Sequence, residues 1–368
     1  MEKRVPGLDG IRALCAIAVA LLHLGDFPLG WIGVQFFYVL SGFLITRILL
    51  DAQLVATSRA AMLKRFYYRR CLRIFPVYYF YLAIFTVAAF GLHSYYAQGH
   101  LLPYMATYTY NIERAFTPPE RFGLSTHLWS LAVEEQFYLV WPLLVIQFTR
   151  RHFRAFGMFA MFLSPILHLL MLNTPNAPRL VYFLTPFQLG AFAIGAVIST
   201  LSMKEMMYIR KPYYAAVAVM VALALVLNRH LPLFGFELHM ASGHKTWLWG
   251  YGVINLCAGA LVLACCTRAF FVPYLEWAPL RYLGRISYGF YVWHALTLLI
   301  VMKISHALGF AGGRRWDWLQ FICFLAVNTV IASVSYRVIE LPFLRYKDRH
   351  FKVAKPTEVC SAVTSTAA

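Results

Sequence analysis

The chain has 368 residues, of which 61% are hydrophobic and 13% are charged. Ordinary soluble domains hold roughly 45–50% apolar and about 25% charged residues, so this composition excludes a water-soluble fold and predicts an integral membrane protein. The net charge of +18 is typical of the basic loops that set orientation in a bilayer, and we favour that explanation over nucleic-acid binding.

Ten apolar runs are each long enough to cross a bilayer as a helix, which takes about 20 residues. They predict an all-α integral membrane protein with about ten transmembrane helices. With the N-terminus inside, 24 of the 33 Lys and Arg residues fall in cytoplasmic segments and eight on the opposite side, so both termini are predicted to be cytoplasmic. The predicted spans are 8–25, 31–50, 74–92, 127–148, 155–173, 180–200, 212–229, 247–267, 286–303 and 317–338.

The segments outside the spans complete the predicted organisation. Residues 66–76, FYYRRCLRIFP, form a basic amphipathic stretch that we expect at the membrane interface. Residues 93–126 are expected to form a polar loop that is interfacial at most. We assign 1–345 to one ten-helix transmembrane domain and 346–368 to a short cytoplasmic tail, which is expected to be disordered. Its basic residues are expected to contact solvent or lipid headgroups.

The first span carries two ionisable residues on one face. Arg12 and His23 are eleven steps apart, which at about 100° per step returns to within roughly 20° of the starting direction. Along the axis they are separated by about 16 Å, so Arg12 would lie near the cytoplasmic entrance and His23 toward the outer half. The alternative is an arginine that reaches back to the interface and a histidine that bonds a neighbouring helix.

The fourth span carries two adjacent carboxylates. Glu134 and Glu135 fall about 10 Å below the outer surface if the span runs inward from His127. That depth matches His23, so Glu134 and His23 are predicted to form an acid/base pair. Adjacent helical residues point about 100° apart, and we therefore expect Glu135 to make a structural hydrogen bond instead.

Two further polar residues fall near mid-membrane. Ser41 lies in VLSGFLIT, and His294 ends the segment SYGFYVWH. A serine in an apolar helix more often bonds its own backbone, and His294 beside a tryptophan is as readily explained by packing. We assign Ser41, Glu135, His294 and Tyr288, which lies in the same segment as His294, supporting roles around the substrate.

The ligands that the sequence predicts are anionic. Arg69, Arg70 and Arg73 crowd the cytoplasmic side, and guanidinium groups offer a planar fork of donors that suits phosphates. The alternative is the ordinary excess of positive charge at the cytoplasmic face. The seven cysteines show no metal-binding spacing, so no metal is predicted.

Six segments spread over nearly the whole chain carry a family resemblance. They are GLDGIRALCAIAVALLH (7–23), GWIGVQFFYVLSGFLIT (30–46), RRCLRIFPVYY (69–79), HLWSLAVEEQFYLVWP (127–142), LGRISYGFYVWH (283–294) and VIELPF (338–343). Together they resemble the membrane-bound acyltransferase-3 family of bacterial O-acyltransferases. One departure is Gln35, where many relatives carry Asp, and it argues against an acidic role at this position.

The resemblance implies a ten-helix enzyme of the bacterial inner membrane that takes an acyl group, usually acetyl, from cytoplasmic acyl-CoA. The acceptor would be a hydroxyl of an envelope or exported carbohydrate, including a lipid-linked glycan. The family's Arg–ten residues–His motif falls on Arg12 and His23, its Arg-x-x-Arg motif on Arg70 and Arg73, and its late glutamate on Glu340.

The sequence leaves alternatives open. His23 would serve either as a base for the acceptor hydroxyl or as a nucleophile that carries the acyl group briefly. Depth pairs His23 with Glu134, whereas the resemblance points to Glu340, which the predicted topology leaves at the inner boundary as a partner for Arg12. Rival functions are a proton-coupled transporter with His23 and Glu134 as its relay, and a non-catalytic membrane scaffold.

Overall fold

The chain folds into helices in a computed structural model that describes residues 4–24, 27–54, 56, 58–91, 99–117, 125–227, 245–308 and 314–350, and none of these residues forms a β-strand. The α-helices are α1 (Leu8–Leu24), α2 (Ile32–Gln53), α3 (Arg59–Gly91), α4 (Leu102–Ala106), α5 (Tyr110–Phe116), α6 (Leu128–Val145), α7 (Arg150–Leu170), α8 (Ala177–Phe183), α9 (Thr185–Thr200), α10 (Met203–Leu227), α11 (Gly250–Cys266), α12 (Val272–Leu275), α13 (Ala278–Arg285), α14 (Ser287–Ala307), α15 (Arg314–Ser335) and α16 (Leu341–His350). A π-helical turn, Tyr336–Glu340, joins α15 to α16. Short 3₁₀ turns lie at Pro28–Trp31, Gly99–Leu101 and Lys245–Leu248.

The all-α prediction is confirmed for the described residues, and each of the ten predicted spans coincides with helix. By length and apolar composition, six of the described helices could cross a membrane, or seven if α8 and α9 count as one span. The count of ten and the cytoplasmic position of both termini stay predictions.

Helix α3 includes the basic stretch 66–76. This stretch continues into the third predicted span as one helix of 33 residues, and its position at the interface stays a prediction. At 1.5 Å per residue this helix is about 50 Å long, which exceeds the roughly 30 Å of a hydrocarbon core. The basic half can therefore extend beyond the apolar layer without a break in the helix.

The sixth predicted span is bent. Helices α8 and α9 meet at 50°, and Leu184 between them has an extended backbone. The cause is Pro186, the second residue of α9, because a proline has no N–H to donate and fits only the first turn of a helix.

The predicted polar loop 93–126 contains buried structure. Its helix α5 packs against α6 and α8, and the Asn111 amide donates to the carbonyl of Phe183 at 3.1 Å. Gln136 of α6 in turn donates to Asn111 at 2.8 Å. Residues 92–98 and 118–124 of this loop lie outside the described residues.

Helix α2 is the centre of the bundle, since it contacts α1, α3, α6, α9 and α11. It crosses α9 through two glycines. A Cβ on Gly42 would lie 2.0 Å from the carbonyl oxygen of Phe192, and one on Gly195 would lie 1.9 Å from that of Val39. Small residues let backbones approach closely where membrane helices cross, and here no larger residue fits.

The first residues of the predicted tail are helical. Helix α16 contacts α3 and extends to His350, so it includes residues 346–350, and the domain boundary stays a prediction. Residues 351–368 lie outside the described residues.

Candidate active site

A cavity opens between α1, α2, α3, α6 and α14, with a void of about 840 Å³ that includes its mouth. Its lining contains seven of the predicted site residues, one from α1, one from α2, two from α3, two from α6 and one from α14. They are Arg12, Ser41, Arg70, Arg73, Glu134, Glu135 and Tyr288. Residues from five helices that are distant in sequence therefore meet at one place.

Three arginines give the cavity its positive charge. Arg12 has one acidic partner, Asp9, at 3.4 Å. In the part of the chain that the structure describes, neither Arg70 nor Arg73 has a carboxylate oxygen within 4.0 Å. The Arg70 guanidinium lies over the ring of Tyr138, 4.6 Å from its centroid. Since guanidinium groups bind phosphates with paired hydrogen bonds, the cavity offers two such groups that form no ion pair with a described carboxylate.

Arg69 does not belong with these arginines. Consecutive helical residues point about 100° apart, and Arg69 faces α16, where it lies 3.7 Å from a carboxylate oxygen of Asp348. It is not part of the cavity lining, so the predicted grouping of Arg69 with Arg70 and Arg73 is corrected.

Glu134 has partners other than the predicted one. One of its carboxylate oxygens accepts hydrogen bonds from Ser41 and from Tyr138, whose hydroxyls are also 3.0 Å apart. His23 instead contacts Val19 and His294. Counting residues predicts a depth for each side chain but not the direction in which it points, and α2 packs against both α1 and α6. The predicted His23–Glu134 pair is therefore wrong, and a proton relay between them has no geometric support.

Glu340 lies in the π-helical turn, where it is 5% exposed. A Cβ on Gly289 of α14 would lie 2.9 Å from its Oε1 atom, so a larger residue at this position would require the carboxylate to shift. Arg73 is the charged side chain that acts on it electrostatically. The alternative partner suggested for Glu340, Arg12, pairs with Asp9 instead, and that prediction is corrected.

Three histidines form a cluster that adjoins the cavity. The His294 ring lies 4.8 Å from the His23 ring and 4.5 Å from the His127 ring, measured between centroids. His294 and His127 are buried, whereas His23 is exposed. Tyr291 lines the cavity and contacts the His294 ring at 5.3 Å, so the cavity and the cluster share a wall.

The backbone fixes the tautomer of each ring. His23 Nδ1 lies 2.9 Å from the carbonyl oxygen of Val19, and His294 Nδ1 lies 2.5 Å from that of Tyr291. A carbonyl oxygen only accepts, so Nδ1 carries the hydrogen in both rings. The Nε2 atom of each neutral ring is consequently left with a lone pair, which is the form that a base or a nucleophile requires.

The sequence interpretation missed His127 and Tyr291. It took His127 only as the start of a span, although a histidine placed directly before a span with two glutamates was a usable signal. His127 Nε2 lies 3.2 Å from the carbonyl oxygen of Val292. Among the described residues, no group of three or more His, Cys, Asp or Glu side chains is arranged to hold a metal ion.

Comparison with known proteins gives a consistent result. The acyltransferase domain of the acyltransferase-3 family matches residues 5–338. YrhL of Bacillus subtilis (strain 168) is 28% identical over 95% of this chain and 56% of that protein. The peptidoglycan O-acetyltransferase OatA of Listeria monocytogenes is 26% identical over 96% of this chain and 59% of its own length. The O-acetyltransferase OatA of Staphylococcus aureus is 26% identical, with corresponding shares of 92% and 57%. The chain thus spans less than three fifths of the length of these relatives, and no solved structure matches it.

Proposed function

The chain belongs to the acyltransferase-3 family, and on that premise we propose that it is a membrane O-acyltransferase. It transfers an acyl group, acetyl in the first place, from acyl-CoA to a hydroxyl of an envelope or exported carbohydrate. The inner membrane of a bacterium is the proposed location, with the donor bound from the cytoplasm. The observation that carries this proposal is the cavity, which has two arginines without an ion pair among the described residues and is adjacent to the histidine cluster.

The arginines support an acyl-CoA donor. Its phosphates would bind Arg70 and Arg73, with Arg12 beside them. Arg12 and His23 are about 16 Å apart along α1. The apolar and hydroxyl-bearing side chains of the cavity lining, Ser41 and Tyr138 among them, suit a pantetheine arm, which is mostly aliphatic with two amides. The acyl group would then arrive near His23.

The tautomer of His23 supports a direct chemical role. Its Nε2 lone pair can remove the proton of the acceptor hydroxyl, or it can attack the thioester and carry the acyl group. The side chain is exposed on the last turn of α1, where an acceptor from outside the bundle can approach. His23 is therefore the residue at which donor and acceptor would meet.

The acceptor is proposed from the relatives. One of them is named a peptidoglycan O-acetyltransferase, so a sugar hydroxyl of peptidoglycan is the first acceptor to test, and a lipid-linked glycan precursor is the second. The matched relatives are considerably longer than this chain. Because their names describe the longer proteins, the acceptor of this chain has to be measured directly.

The test is the release of free CoA by the purified protein in lipid vesicles that are supplied with acetyl-CoA and soluble peptidoglycan fragments. Wild type should release CoA and acetylate the fragments, and His23→Ala should do neither. His306→Ala is the matched control, since His306 is an exposed histidine in the last turn of α14, and it should behave as wild type. A transporter or a scaffold would not release CoA from acetyl-CoA. Absence of CoA release by the wild-type protein would therefore refute the proposal.

A further inference from the structure

His294 has a buried nitrogen without a partner. The side chain is 1% exposed, and its Nδ1 hydrogen is used by the Tyr291 carbonyl. Its Nε2 atom makes no hydrogen bond within the described residues. Buried polar atoms of proteins nearly always have partners, and one that does not calls for an explanation such as a catalytic role or a bound ligand.

The surroundings of this nitrogen point to the same reaction centre. The titratable groups around the His294 ring are His23 at 4.8 Å, His127 at 4.5 Å and Tyr291 at 5.3 Å between centroids. Of these, only His23 is exposed. A hydroxyl that approaches His294 from the exposed side therefore reaches it at His23, where the proposed function puts the acyl group.

Two imidazoles with free Nε2 lone pairs at one place allow a division of labour. A single histidine cannot both hold the acyl group on Nε2 and remove the acceptor's proton with the same atom. A second lone pair beside it removes that conflict.

We propose that His294 is the catalytic base for the acceptor hydroxyl and that His23 carries the acyl group; this inference rests on the proposed acyltransferase function. In the first step His23 Nε2 attacks the thioester carbonyl carbon, a C–N bond forms, the C–S bond breaks, and the electron pair leaves on the CoA sulfur as thiolate. In the second step the hydroxyl oxygen attacks the same carbon while its proton passes to His294 Nε2. The C–N bond breaks and its electron pair returns to His23. The proton on His294 then returns to solvent, from which the thiolate takes one.

The two steps can be measured separately. In the absence of an acceptor, wild type mixed with acetyl-CoA should release one CoA per protein in a rapid burst. Mass spectrometry should find acetyl on the peptide that contains His23. With soluble peptidoglycan fragments added, steady turnover should follow.

The decisive variants are His294→Gln and His294→Leu. Glutamine keeps polarity and similar volume but cannot take up a proton, so His294→Gln should retain the burst and the acetylated His23 peptide and lose 10²–10⁴-fold in turnover, the usual range for acid–base catalysis. His294→Leu should behave in the same way if it folds. The kinetics are interpreted for whichever of the two variants elutes from size-exclusion chromatography as a folded protein. His306→Ala is again the matched control.

Other outcomes separate this inference from the function on which it rests. Wild-type turnover with no burst and no acetylated His23 would show direct transfer and overturn the inference, while the acyltransferase function would stand. Near-normal turnover of a folded His294→Gln variant would overturn it as well. No CoA release by wild type under any condition would refute the proposed function itself.

Discussion

Replacing Arg70 by glutamine removes one of the two cavity arginines that have no acidic partner among the described residues. If this guanidinium binds a CoA phosphate, the variant loses a charge-assisted contact worth on the order of 1.5–3 kcal/mol. Since about 1.4 kcal/mol corresponds to a tenfold change in affinity, the Kd for CoA should rise by roughly 10- to 150-fold. Arg70→Lys keeps the charge but not the planar fork, and its loss should be smaller.

Arg69→Gln is the matched control. Arg69 precedes Arg70 in the same helix, but its partner Asp348 is 66% exposed and their ion pair lies outside the cavity lining. Exposed ion pairs contribute only about 0–1 kcal/mol, so this variant should bind CoA as wild type does. Arg70→Gln also loses the cation–π contact with Tyr138, worth about 0.5–1 kcal/mol of stability at an exposed site and more when buried. The proteins should therefore be compared at a temperature at which both are fully folded.

The assay is equilibrium binding of CoA to detergent-purified protein at two salt concentrations, because an interaction with a phosphate weakens as salt screens it. The affinities can be compared if each variant elutes from size-exclusion chromatography as a single species. The phosphate-binding role would be refuted if the double variant of Arg70 and Arg73 bound CoA with wild-type affinity, or if Arg69→Gln lost as much CoA affinity as Arg70→Gln. The arginines would then be explained by the ordinary excess of positive charge at the cytoplasmic face.

Four further predictions test the packing, the two carboxylates and His23. Gly42→Ala would put a Cβ 2.0 Å from a backbone carbonyl of α9 and should lower the thermal midpoint in detergent, with a cost of about 1–3 kcal/mol or more for overpacking; Gly252→Ala, with nothing within 4 Å of the added atom, should not. Glu134→Gln should change turnover by less than about tenfold, below the range of an acid–base group, because Glu134 does not contact His23; a larger loss at unchanged donor KM would restore that pair. Glu340→Gln should raise the KM for acyl-CoA through Arg73 more than it lowers kcat, and equal kcat and KM in the variant and wild type would contradict this. His23→Ala should abolish transfer and leave a folded protein, as judged by CoA release and elution profile, since the side chain is exposed.

The positions of the helices could be predicted because an apolar run in lipid has few options besides helix. The predicted runs 8–25 and 286–303 correspond closely to α1 and α14. Run length could not show that the basic residues before the third span continue its helix, because Lys and Arg form helix as readily as apolar residues do. The only sequence signal for the bend before α9 was Pro186.

The direction of side chains was harder to predict than their depth. Helix geometry gives the rise along an axis, and it predicted different depths for Arg12 and Ser41, which line one cavity. Which helix stands next to which decides the contacts, and that information is absent from one sequence. This is why Glu134 was matched with His23 on depth, although Ser41 is its neighbour. His127 was overlooked for the same reason, since only the meeting of α6 with α14 brings it to His294.

The π-helical turn at Tyr336–Glu340 holds one residue more than an α-helix needs over the same length. Such a spare residue lets the flanking helices keep their faces, so α16 still packs against α3 while Glu340 is displaced toward Gly289. Deleting one residue inside the turn would therefore leave a continuous helix and an intact fold, but a different side chain would face Gly289. A deletion of the same size in α15 or α16 would turn everything beyond it by about 100°. A one-residue deletion in this turn would therefore preserve the fold and remove Glu340 from its position.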